Sequence, residues 1–265
     1  MLNKQGQQQH DYLQAVIRRR QLYLKAILEH LDNCLEIFNK QPHCKNLIID
    51  ALKDDDKFYQ TLSELEISRA LNKKYPIIPQ PLINGKHADA IIFAQNNRRA
   101  IFEITSPDII DKLKYIGFAA DVKNKARQII IDKISYQITK FVEGNNDLIF
   151  LVIDKSRAYD ISPEDIQYAL WGSPSLVLLE NKDTGKAEST KWIRQKDALG
   201  LTVKDANRLS AVIFYGRSFQ TAENPIKLEG QIIYNPYASP KVDDEIVKEI
   251  ESALFKDNYN ISPTL

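Results

Sequence analysis

Apolar residues near the start of the chain recur with a helical period. Leu13, Ile17, Arg20, Leu24, Ile27, Leu31, Cys34 and Phe38 step by four and three, a heptad seam interrupted by Arg20. This predicts one long helix over 7–39, a stretch without Pro or Gly. Val16, Leu22, Tyr23 and Leu28 widen the stripe beyond a coiled-coil seam, so packing on its own domain is the main expectation and a homodimer through this helix the alternative. A second helix is expected over 58–74, stopping before Pro76. The period then changes to two. Residues 77–83, broken by Pro79 and Pro81, suit an edge or irregular strand. Residues 87–94 and 98–105 read as strands joined by the turn-forming Gln95-Asn96-Asn97. A helix over 121–143 and a buried strand over 148–154 follow. Ser162 then opens a helix with Pro163 in its first turn and Glu164-Asp165 near its N-terminal dipole. Strands over 211–215 and 231–234 and a helix over 242–255 complete the outline. Residues 180–205 are polar, with a surface turn expected at Asn181 to Gly185.

This alternation is that of an α/β (α+β) chain with a central mixed sheet flanked by helices. At 265 residues it has room for one core with appended elements. The organisation expected is an N-terminal helical segment (1–50), a core (51–160), and C-terminal strands and helices completing or extending that core (161–265).

Composition removes several classes of chemistry. Nine glycines are few, and no GxGxxG or GxSxG occurs. Gly185-Lys186 lacks the flanking residues of a phosphate loop, with Glu180 and Ala187 where Gly and Ser or Thr belong. Cys34 and Cys44, with His43 as the one nearby ligand type, make neither a disulfide framework nor a zinc site. The longest apolar run, 148–153, is far too short to span a bilayer, and the first ten residues have no apolar signal segment. A soluble cytoplasmic protein is expected, with no membrane partner.

The net charge of +1 conceals a gradient. Residues 1–53 carry eight Lys/Arg against five acids, 111–140 seven against three, and 223–257 four against eight. A basic face on the 121–143 helix, with Lys123, Lys125, Arg127 and Lys140, would suit a nucleic-acid backbone; a solvated helix surface is the plainer explanation.

Candidate chemistry sits in the middle of the chain. Glu103 lies on a strand otherwise apolar on both faces, where a lone carboxylate needs a cation, a metal ion or backbone N–H groups. Asp89 lies on the strand before. A three-residue loop at 95–97 places Asp89 opposite Glu103, close enough for both to share a hard divalent cation; a two-residue loop sends them to opposite faces. On the following helix, Lys133 and Gln137 fall within the apolar stripe of Val122, Ala126, Ile129, Ile130, Ile134 and Phe141. Lys133 there either pairs with a local acid such as Asp132 or reaches the carboxylates of the strands.

Ser63-Glu64-Leu65 on a helix, Ala88-Asp89 on a strand and Glu103-Ile104-Thr105 on the next resemble the PD-(D/E)xK nucleases, the restriction-endonuclease-like superfamily. The resemblance covers roughly residues 58–154. It departs at Ala88, where the family has proline, and at Thr105, where the family has its catalytic lysine; in parts of the superfamily that lysine is displaced to the following helix, the position of Lys133. The resemblance implies a restriction-endonuclease-like fold and a Mg²⁺-dependent endonuclease acting on DNA, with Mn²⁺ as an alternative cation. Asp89 and Glu103 would hold the metal with the Ile104 carbonyl, Glu64 would support the site, and Lys133 and Gln137 would orient water and phosphate. Glu66 is the alternative to Glu64, since the two differ by about 200° around a helix and one of them is expected to face the strands. A catalytically degenerate module that binds nucleic acid or protein without cleavage is the second expectation.

Overall fold

The computed structural model describes residues 25, 28–38, 48–54, 57–94, 97–107, 122–141, 146–158, 161–180, 187–194, 197–218 and 227–256. Ten strands lie among them: β1 (Ile77–Pro79), β2 (Leu82–Ile83), β3 (Lys86–His87), β4 (Ala90–Phe93), β5 (Arg99–Thr105), β6 (Leu148–Asp154), β7 (Pro174–Glu180), β8 (Ala187–Arg194), β9 (Ala211–Ser218) and β10 (Lys227–Tyr234). The named helices are α1 (Phe58–Asn72), α2 (Val122–Tyr136), α3 (Pro163–Trp171), α4 (Leu199–Thr202) and α5 (Asp244–Glu251).

A six-stranded mixed sheet, in the order β1-β4-β5-β6-β9-β10, forms the centre. β1, β4 and β5 make an antiparallel meander, β5, β6 and β9 run parallel, and β10 returns antiparallel on β9. The parallel steps need crossovers on the sheet faces, and α2 and α3 lie in those connections. The C-terminal strands β9 and β10 therefore complete the sheet that begins with β1.

Both faces of the sheet are covered, which is why β6 is an unbroken buried apolar run. One face, with Phe102, Ile104, Phe150, Val152 and Ile213, packs against Ile67 and Leu71 of α1 and Ile246 and Ile250 of α5. Phe102 and Phe150 stack on neighbouring strands with centroids 5.1 Å apart. The other face, with Ile149, Leu151, Ile153 and Val212, packs against Ala126, Ile130 and Ile134 of α2 and Ile166 and Leu170 of α3. α3 starts at a capping box: the Asp165 amide donates to Ser162 Oγ and the Ser162 amide to Asp165 Oδ2, with Pro163 in the first turn.

Several expectations change. The strand expected over 87–94 is split, because Asn84 and Gly85, at φ 48° and 75°, close a tight hairpin that takes Lys86 and His87 into β3. The helix expected over 121–143 ends at Tyr136, and a 3₁₀ turn, Ile138–Lys140, follows. The polar region after 180 contains β8, paired antiparallel with β7 in a separate two-stranded sheet. The turn expected at 181–185 lies outside the described residues, as does most of the helix expected over 7–39. Its described part, 28–35, is helical and continues into a 3₁₀ turn, Glu36–Phe38. There Cys34 and Phe38 pack on Ile48 and on Leu65 of α1, so this part of the seam is covered from within the chain. Among the described residues no helix is long and apolar enough to cross a membrane.

Candidate carboxylate-lysine site

The register of β4 and β5 is the one that brings Asp89 to Glu103. Ala90 pairs with Phe102 and Phe93 with Arg99, and the Ala94 amide donates to the Arg98 carbonyl at 2.9 Å. The loop thus spans the three residues 95–97, closing with Asn97 at φ 56°, the left-handed conformation that ends a three-residue hairpin loop. Gln95 and Asn96 lie outside the described residues.

The β4–β5 ladder stops at Ala90, so the Ile104 amide has no strand partner on that side. Asp89 supplies it: Oδ2 accepts from the Ile104 N–H at 2.6 Å. Glu103 points to the α2 face and is 2% exposed. Lys133 Nζ donates to Glu103 Oε1 at 2.8 Å and to Gln137 Oε1 at 2.8 Å. The stripe position of Lys133 is therefore explained by Glu103 rather than by Asp132, whose exposed carboxylate takes Gln128 instead. Gln137, just past the end of α2, still reaches the lysine through the helix-to-3₁₀ transition.

Glu64 approaches from α1. Its Oε1 accepts from Gln60 Nε2 at 2.8 Å, and the same nitrogen donates to the Ile104 carbonyl at 2.8 Å. The acids act on one another's protonation. Burial, then the charges of Glu64 and Glu103, push the Asp89 carboxyl well above its ordinary value, against the opposing Ile104 amide and Lys133 charge. Burial, then the Glu103 charge, raises Glu64 against the Gln60 hydrogen bond. Burial raises Glu103, with Lys133 pulling it back.

All five residues singled out in the sequence, Glu64, Asp89, Glu103, Lys133 and Gln137, thus belong to one site, with Ile104 between them. Thr105 is buried next to it. Among the described residues no three His, Cys, Asp or Glu side chains form a ready metal cage. The donor set is nevertheless suited to a hard divalent cation, since it offers carboxylates and a backbone carbonyl. Glu103 Oε2 is buried and has no hydrogen-bond partner among the described residues, the mark of an acceptor still owed a partner.

Both Glu64 and Glu66 meet the sheet region, which corrects the expectation that one of them would. Glu66 serves a second cluster at the ends of β6 and β9. Its Oε2 accepts from Arg217 Nε at 2.7 Å, and its Oε1 lies 3.1 Å from His30 Nε2. Arg217 also donates to Asp154 Oδ2, Ser156 Oγ and Ser63 Oγ. Sequence reading passed over Arg217, Asp154 and Gln60. The last had a usable signal, one turn before Glu64 on the same helix.

The basic face fares less well. Arg127 is engaged internally, with Nη1 2.6 Å from the Asp197 carbonyl and Nη2 2.9 Å from Thr202 Oγ1. Lys140 is exposed, and the side chains of Lys123 and Lys125 lie outside the described residues. No family model matches the chain, and no curated protein or solved structure gives a significant match.

Proposed function

We propose that this protein is a metal-dependent nuclease of restriction-endonuclease-like fold that hydrolyses phosphodiester bonds of DNA. The observation that carries the reading is the placement of Asp89 on the Ile104 amide beside Glu103, whose Oε1 accepts from Lys133 and whose Oε2 is buried without a partner among the described residues. The order of elements also agrees: a helix with Glu64, a strand approached by Asp89, a strand with Glu103 and a helix with Lys133. Asp89, Glu103 and the Ile104 carbonyl would hold Mg²⁺ or Mn²⁺. When bound, such a cation supplies Lewis acidity toward the scissile phosphate and the attacking water. Lys133 Nζ offsets negative charge that develops on the phosphoryl oxygens, taking over the task that Thr105 cannot perform. Gln137, bonded to Lys133, holds the ammonium in position. Glu64 adds negative charge on the α1 side of the site.

The test is plasmid and short-duplex cleavage with Mg²⁺ or Mn²⁺, beside Asp89→Ala and Glu103→Ala. Cation-dependent cleavage lost in both variants is the result expected. Thr105 and the internal engagement of Arg127 favour a second reading, a degenerate module that binds nucleic acid or a protein partner without cutting. DNA binding unchanged by either substitution, without cleavage, would select it.

A further inference from the structure

Building on the cation-site reading above, we infer that Gln60 is a positioning residue. Its side-chain amide brackets the Glu64 carboxylate and the Ile104 carbonyl, and so sets how tightly the site takes a divalent cation.

Three bonds define the bracket. Gln60 Nε2 donates to Glu64 Oε1 and to the Ile104 carbonyl, each at 2.8 Å, and Gln60 Oε1 accepts from the Ser106 amide at 2.8 Å. A backbone N–H is a donor only, so Ser106 decides which end of the side chain carries the oxygen. Both hydrogens of the NH₂ group are then committed, and the amide has one orientation. It ties the first turn of α1 to the end of β5, across 44 residues of chain.

The consequence lies at Ile104. Its N–H is held by Asp89 and its carbonyl by Gln60, so both backbone polar groups of Ile104 are fixed by side chains. A carbonyl oxygen has two lone pairs, and the bond from Gln60 uses one, leaving the other for a cation. Glu64 also needs a tether. It faces the like charge of Glu103, which in the absence of a cation drives the carboxylates apart. Donation from Gln60 opposes that drift. The bracket rests on a stiff base, because Ser106 Oγ donates to Asp154 Oδ2 at 3.3 Å, within the Arg217 cluster.

The experiment uses the full chain and two variants, Gln60→Met, which keeps the length and removes all three bonds, and Gln60→Asn, which keeps the amide but falls one carbon short. Mn²⁺ binding is followed by electron paramagnetic resonance of the free ion, and Mg²⁺ dependence by plasmid cleavage. Substitution of partners behind metal ligands typically costs about 10- to 100-fold in affinity, and Mn²⁺ binding by both variants is expected to weaken on that scale. The Mg²⁺ concentration for half-maximal cleavage rises in parallel, while the rate at saturating Mg²⁺ stays close to that of the wild type. In a Glu64→Ala background, which removes that acceptor, the effect of Gln60→Met shrinks by the share that runs through Glu64, and the share that runs through Ile104 remains. A wild type that binds Mn²⁺ and cleaves DNA, with both Gln60 variants matching it, overturns this inference and leaves the nuclease reading standing. A wild type that neither binds Mn²⁺ nor cleaves DNA overturns both.

Discussion

Lys133 Nζ sits 2.8 Å from Glu103 Oε1, and the carboxylate's other oxygen is buried without a partner among the described residues. A lysine that served only to neutralise a core acid would be expected to leave it satisfied. Here one oxygen is paired and the other is open. Lys133→Met is predicted to reduce cleavage about 10²–10³-fold, the usual effect of deleting one donor aimed at developing charge. Single-turnover rates at saturating Mg²⁺ check this; a loss confined to DNA affinity would place Lys133 outside the chemistry.

Three acids facing one another make the site costly to fold at neutral pH. The Glu64 carboxyl is raised from an ordinary value of 4.5, by burial first and by Glu103 next. A group raised on folding contributes its stability in full below the unfolded value, and that contribution is lost as pH climbs through the folded value. Glu64→Gln keeps an acceptor for Gln60 and removes the charge. It is predicted to raise the melting temperature at pH 8 without divalent cation by a few degrees, about 2–4 °C for each kcal/mol recovered. The difference should fade as pH falls below 4.5, the carboxyl's ordinary value. Thermal melts at both pH values decide it, and an equal gain at each would assign the effect to packing.

What was legible in the sequence was what local rules determine. The β4–β5 register was narrowed to two alternatives, a three-residue loop that brings Asp89 to Glu103 and a two-residue loop that parts them, and the folded chain has the first; helical periodicity placed Lys133 and Gln137 on the inner face. Residues 84–89 were harder, because the Asn84-Gly85 turn, lying between the two expected strands, folds their ends back on each other as a separate short hairpin and takes His87 out of the strand expected over 87–94. β7 and β8 escaped notice since β8, Ala-Glu-Ser-Thr-Lys-Trp-Ile-Arg, has no clean apolar alternation. The Arg217 cluster was invisible for another reason: Arg217 and Glu66 are 151 residues apart, and nothing local at either position announces the other.

Cys34 is fully buried against Phe38, Ile48 and Leu65, and burial, then the Glu66 charge, pushes its thiol up from 9.0 to about 12. Only the thiolate reacts readily with disulfide reagents. In a Cys44→Ser background, native protein at pH 8 is predicted to show negligible reaction with a chromogenic disulfide, and one equivalent after denaturation. Rapid labelling of the native protein would mean that the 28–38 segment opens from α1. The thiol's contribution to stability is present below pH 9 and is lost between 9 and about 12, so alkaline melts should fall across that window.

Arg217 is the keystone of the second cluster. Its side chain is 5% exposed, and the carboxylates of Glu66 and Asp154 that it joins are fully covered. Burial opposes its charge, yet Glu66, the Tyr215 phenol oxygen and Asp154 raise its pKa overall. Removing one partner from such a pair leaves uncompensated charge, which typically costs about 3–5 kcal/mol, whereas removing all of the charges together costs far less. Arg217→Met is therefore predicted to destabilise by that amount in urea unfolding. Arg217→Met with Glu66→Gln and Asp154→Asn should recover most of it, because the three charges leave together; Asp154→Asn keeps one oxygen for the Ser156 amide, and its NH₂ group faces the Ser63 hydroxyl, which can accept. Strict additivity of the three substitutions would show that the ion pairs are not coupled. Cleavage by the triple variant then reports whether the anchor beneath Ser106 and Gln60 acts through its charges or only through its rigidity.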